Sequence, residues 1–136
     1  SSSMWFAKRK SPPIRSLVAE GTRLEGTLHF ADGLRLDGGV VGDIRAEGDR
    51  PTLLVISETA EVTGQVHADH VIINGKVNGP VFARQMLELQ PKANIVGDVH
   101  YRALEMHQGA MITGQMHPAA AVAEDKPTLK LAANNQ

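Results

Sequence analysis

The chain contains no cysteine. Disulfides and thiolate metal sites are therefore excluded, which fits a reducing compartment. Aromatic residues make up 4% of the 136 positions, a low share for a globular core. No apolar run approaches the roughly 18 residues that span a bilayer. No signal-peptide h-region is present, because Lys8-Arg9-Lys10 follow the N-terminal apolar residues. No segment carries a 3.6-residue apolar period, so no helix is expected. Phosphate-loop, dinucleotide and nucleophile motifs are also missing. Asn74-Gly75-Lys76 lacks the glycine run and following helix of a phosphate loop and reads as a turn. The sequence therefore assigns no catalytic and no cofactor-binding residue, and a non-enzymatic chain is expected.

What the chain does have is glycine, 13 in all, and a line repeated around it. Val62-Thr63-Gly64-Gln65-Val66-His67-Ala68 recurs around Gly26, Gly42, Gly79, Gly97 and Gly114. The spacings between these glycines are 16, 22, 15, 18 and 17 residues. Within each line every second residue is apolar, which is the strand period. Two residues before the glycine stand Leu24, Val40, Val62, Val77, Ile95 and Ile112; two after it stand Leu28, Ile44, Val66, Val81, Val99 and Met116. Four after it stand Phe30, Ala46, Ala68, Ala83, Tyr101 and Pro118. The glycine shares this inward parity, which suggests a bend where inward space is short.

A second element lies between the glycine lines. It reads apolar-x-apolar in Leu34-Arg35-Leu36, Leu54-Val55-Ile56, Val71-Ile72-Ile73, Leu87-Glu88-Leu89 and Leu104-Glu105-Met106, with Val18 in the same slot before the first line. The connectors are rich in Gly, Asn, Asp and Ser, as turns are. The spacing of 22 is explained by an extra loop, Glu47-Gly48-Asp49-Arg50-Pro51, at one corner. A unit of about 17 residues with two or three short strands cannot bury its own apolar face, but stacked copies bury one another. The expected fold is all-β: a single-domain parallel β-helix of about six coils over residues 15–118. Residues 1–14 and 119–136 lie outside the pattern and are expected to be flexible tails, with Ser1-Ser2-Ser3 read as a scar of expression.

Charge is uneven. Residues 1–23 carry five bases and one acid, whereas residues 24–117 carry seven bases and twelve acids. The N-terminal segment joins the chain's one tryptophan and a phenylalanine to three consecutive bases. Met4, Trp5, Phe6, Lys8, Arg9 and Lys10 are therefore the expected contact with an anionic membrane surface, since such rings favour the headgroup region and bases favour anionic lipid. A nucleic-acid partner is not expected, because the acidic body offers no basic face.

Four of the six histidines, His29, His67, His100 and His117, share the slot three residues after the glycine, with Arg45 and Phe82 in the other two coils. This slot faces outward. His100 and His117 sit on adjacent coils, but no carboxylate occupies the same ladder and zinc normally takes three or four ligands, so no metal site is expected. His70 and His107 fall at corners and are expected to be exposed.

Six glycine lines in register, the start Met4-Trp5-Phe6-Ala7-Lys8 and the C-terminal tail together resemble the bactofilin family. The resemblance covers residues 15–118 and the basic head. It implies a right-handed β-helix that polymerises without nucleotide into non-polar filaments. It also implies a cytoplasmic scaffold, peripheral on the inner face of the membrane, that positions cell-wall enzymes and other envelope proteins. The residues agree with self-assembly on their own account. Solenoids need polar caps on their end coils, and neither end of the pattern has one. Leu24, Leu28 and Phe30 at the first coil and Met111, Ile112 and Met116 at the last are the expected polymerisation surfaces. Two alternatives remain at this stage. A hexapeptide-type acyltransferase would need an aliphatic residue at every sixth position and strict 18-residue coils. A monomeric solenoid binding module would need capped ends.

Overall fold

A computed structural model of the chain describes residues 13–119. The membrane-contact residues Met4 to Lys10 and most of both expected tails lie outside the described residues. Among the described residues there is no helix, and all strand pairs are parallel.

Each coil has three faces. The first coil holds β1 (Ile14–Val18), β2 (Arg23–Glu25) and β3 (Leu28–Phe30); the second holds β4 (Gly33–Leu36), β5 (Gly39–Val41) and β6 (Ile44–Ala46). The third runs through β7 (Leu53–Ile56), β8 (Glu61–Thr63) and the first half of β9 (Val66–Ile73). The fourth takes the rest of β9, then β10 (Lys76–Asn78) and the first half of β11 (Val81–Leu89). The fifth finishes β11 and adds β12 (Asn94–Val96) and β13 (Val99–Tyr101). The sixth holds β14 (Ala103–Met106), β15 (Met111–Thr113) and β16 (Met116–Pro118). Because β9 and β11 pass a corner without ending, the first and third faces join into one ten-stranded sheet, while the second face is a separate six-stranded sheet.

The register follows the apolar rows. Leu24, Val40, Val62, Val77, Ile95 and Ile112 are successive partners on the second face. Leu28, Ile44, Val66, Val81, Val99 and Met116 are successive partners on the third. Leu36, Ile56, Ile73, Leu89 and Met106 do the same on the first. These rows meet in one core cluster from Val18 to Val99. A one-residue slip would turn a whole row outward, so burial fixes the register. Each buried Val, Leu or Ile contributes about 1.5–3 kcal/mol relative to exposure.

The repeated glycines mark the expected bend, but for a different steric reason. They lie at the corner between the second and third faces, with φ from +117° to +154°. From the second coil onward, a Cβ on each would strike the carbonyl oxygen of the glycine one coil earlier. The constraint is axial contact between stacked corners rather than inward space. Among the described residues no coil lies beneath Gly26, and a Cβ there would meet nothing within 4 Å.

The extra loop leaves at the corner between β6 and β7, and residues 47–51 are exposed. Its return is pinned by Thr52, the one buried polar residue among the described residues. The Thr52 backbone N–H and hydroxyl both donate to Asp69 Oδ2, at 2.9 and 3.0 Å, and Arg84 Nε donates to Asp69 Oδ1 at 2.8 Å. The loop can therefore lengthen the chain without shifting a row.

Gly64→Ala should destabilise the fold by about 1–3 kcal/mol through its left-handed φ alone, with a further loss from the carbonyl clash. Gly26→Ala should cost less, because only the backbone conformation opposes it. Urea unfolding of both variants checks the order; equal losses would remove the axial-contact explanation.

Candidate functional site

Two features of the solenoid face outward in ways a buried core does not explain: its open ends and a column of rings along one edge. The C-terminal end is the more open. In the fifth coil Leu87, Leu89, Ala93, Ile95 and Val99 are buried. Their register equivalents one coil on are Leu104, Met106, Ile112 and Met116, with Ala110 after Ala93. Met106 is 45% and Met116 43% exposed, and Leu104, Ala110 and Ile112 are half-buried. The difference is one missing coil. β14, β15 and β16 each pair on one side only, so three strand edges face outward together. Such edges template the pairing of another chain.

Of the surface residues expected from sequence, Ile112 and Met116 belong to this open cross-section. Met111 is 59% exposed but shares the outward row of Asn94. Leu104, Met106 and Ala110 were missed as end residues, although Leu104-Glu105-Met106 carries the apolar-x-apolar signal. At the first coil Leu24 and Leu28 are half-buried. Phe30 is only 6% exposed, so its ring fills the coil interior and adds little to the end surface.

The second feature is the outward slot after the glycine. His67, Phe82, His100 and His117 stack with centroids 4.4, 4.5 and 4.5 Å apart and planes within 13° of parallel. The strand separation sets this spacing. Ring nitrogen lone pairs lie in the ring plane, so parallel stacked imidazoles do not converge on one ion. A carboxylate from a neighbouring row reaches this column: Asp98 Oδ2 lies 3.3 Å from His117 Nε2. Asp98 is held below the usual carboxylate range by the backbone hydrogen bond from Gln115 and by His117. His70 also departs from expectation. It lies within β9 between the register partners Leu53 and Met86, half-buried, with Nε2 buried and unpaired. His107 is at a corner and exposed, as expected.

Among the described residues, stacked parallel coils with unpaired strand edges at the end define a β-solenoid. A family model, described as bactofilin, polymer-forming cytoskeletal, matches residues 16–117, and the chain belongs to the bactofilin family. No curated protein and no solved structure matches the chain. Membership makes this a structural, polymer-forming cytoskeletal protein whose first partner is itself.

The ring column should respond to pH. Burial lowers the His67 pKa, Arg45 and then Arg84 add to this, and Asp43 opposes it. A folded pKa below the ordinary value of about 6.5 means that the neutral ring is favoured in the fold. The stability this contributes is complete above the ordinary value and is lost as pH falls through the folded one. NMR titration should give His67 a midpoint below about 6.5, and His67→Phe should flatten the loss of thermal stability on acidification. A midpoint above the ordinary value would contradict this reading.

Proposed function

We propose that this chain assembles end to end, without nucleotide, into non-polar filaments that lie on the inner face of the cytoplasmic membrane and position cell-envelope proteins. The observation that carries the proposal is the open sixth coil. A second copy supplies the missing coil, buries Leu104, Met106, Ile112 and Met116, and pairs three free strand edges. When both partners use the same end the contact is isologous. Alternating contacts of first coil with first coil and last with last give an open filament without polarity. The coil ends carry apolar rows and no phosphate loop, so assembly needs no nucleotide. The role is a scaffold rather than a catalyst.

The N-terminal segment supplies the membrane contact. Trp5 and Phe6 suit the headgroup region, and Lys8, Arg9 and Lys10 suit an anionic leaflet. One segment contributes only on the order of 3–4 kcal/mol of electrostatic attraction, screened by salt. A filament presents many such segments, and each later contact is effectively intramolecular. Attachment therefore follows from polymerisation, and the filament in turn gives envelope proteins a fixed platform.

Ile112→Arg and Leu28→Arg each place a charge in a stacking plane. An unpaired buried charge costs several kcal/mol, so both variants should give short filaments or none while the middle coils stay folded. Negative-stain micrographs in nucleotide-free buffer check this; normal filaments from both variants would reject end-to-end stacking.

Removing residues 4–10 should release filaments from anionic vesicles in co-sedimentation, and Ile112→Arg should bind vesicles poorly with its N-terminal segment intact. If filaments lacking residues 4–10 pelleted only with lipid, the anchor would lie elsewhere in the chain.

A further inference from the structure

We propose that Glu88, Glu105 and His107 form a divalent transition-metal site, of the kind that takes Zn2+, joining the fifth and sixth coils. The three side chains each offer one ligand atom, and these atoms lie within 4.8 Å of one another. His107 Nε2 is 3.2 Å from Glu105 Oε2 and 3.7 Å from Glu88 Oε2. The imidazole nitrogen thus sits between two carboxylates.

The register makes this arrangement unusual in the molecule. Glu88 and Glu105 are direct partners on adjacent parallel strands. The same outward row on the other coils reads Leu17, Arg35, Val55 and Ile72. Among the described strand pairs, no other two carboxylates are placed side by side. Like charges in register repel, and a cation between them removes that repulsion. A divalent ion with two carboxylates and a neutral imidazole gives a site of zero net charge.

Support around the ligands is already in place. Gln90 Nε2 donates to Glu88 Oε2 at 3.1 Å and orients that carboxylate. The Glu88 side chain is only 20% exposed, so it is partly desolvated. His107 is fixed by its backbone: its N–H donates to the Leu89 carbonyl at 2.9 Å, and its carbonyl accepts from Ala110 N–H at 3.2 Å. A zinc ion would take these nitrogen and oxygen ligands at about 2.0–2.2 Å. The mixed nitrogen and oxygen set suits zinc and its neighbours better than calcium or magnesium, which prefer oxygen ligands throughout. Three protein ligands leave a fourth position open toward solvent. From sequence no metal was expected, since the glycine slot lacks a third ligand and His107 reads as an isolated corner residue. The set found here lies between the fifth coil and the open sixth coil, and clips the last coil to the body.

Titration calorimetry of the full chain with zinc chloride tests the site. One ion should bind per chain. Glu105→Gln and His107→Asn should each weaken binding about tenfold or more, and Gln90→Met, which removes only the orienting bond, about tenfold. Zinc should also slow hydrogen exchange across residues 103–113 in the wild-type chain and not in His107→Asn. The altered side chains are on the outside of the coil, and unchanged circular dichroism establishes that the variants fold. Assembly is not the readout, so a chain that fails to form filaments still tests the site. No zinc binding, or affinity unchanged in Glu105→Gln and His107→Asn, would overturn the proposal. So would loss of binding in His117→Asn with His107→Asn unaffected, which would assign the ion to the ring column.

Discussion

Every coil depends on its neighbours for the hydrogen bonds of its strands. None of the described strands pairs within its own coil; each pairs with the coil above, the coil below or both. A single coil of about 17 residues would leave its amide groups and its apolar face in water. This makes register the governing constraint. Rows such as Leu24 to Ile112 stay in line because any slip exposes all of them together. It also makes the ends different in kind from the middle. The same residue positions that are buried in the fifth coil are open in the sixth, so the incompleteness of the end is a property of the architecture and not of a particular patch.

The rows, the corners and the extra loop were legible in the sequence because each rests on local alternation. Val62-Thr63-Gly64-Gln65-Val66 states which residues point inward without any knowledge of its neighbours. What was not legible depends on which residues lie one coil apart. The glycines were read as inward bends, whereas Gly64 is required by the carbonyl of Gly42 beneath it. The bond network of Thr52, Asp69 and Arg84 joins residues 17 and 15 positions apart across coils. The pairing of Glu88 with Glu105 follows only once Leu87 and Leu104 are set in register. Phe30 shows the opposite limit: its parity was correct, but the first coil already encloses it, so an inward residue of an end coil is not always an exposed one.

The outward surface carries more information than the inward one. Inward rows are nearly interchangeable aliphatic ladders. Outward rows differ from face to face: rings on one edge, mixed charged, polar and β-branched side chains on the second face, and a glutamate pair at the end of the first. The ring column and the carboxylate pair both arise because the register multiplies whatever residue stands in a slot. Repetition of an imidazole gives a stack, and repetition of a glutamate gives a charge conflict that a cation or an imidazolium relieves.

The strand pairing has a mechanical consequence. Hydrogen bonds between coils run along the long axis of the solenoid, and each gap between coils is bridged on three faces at once. A pull along the axis therefore stretches the bonds of a gap in parallel, and no single face can unzip ahead of the others. Between the first and third faces, β9 and β11 carry the chain around a corner in continuous strand, while the edges of the second face are interrupted in every coil. A rod built this way therefore shares axial tension among all three faces.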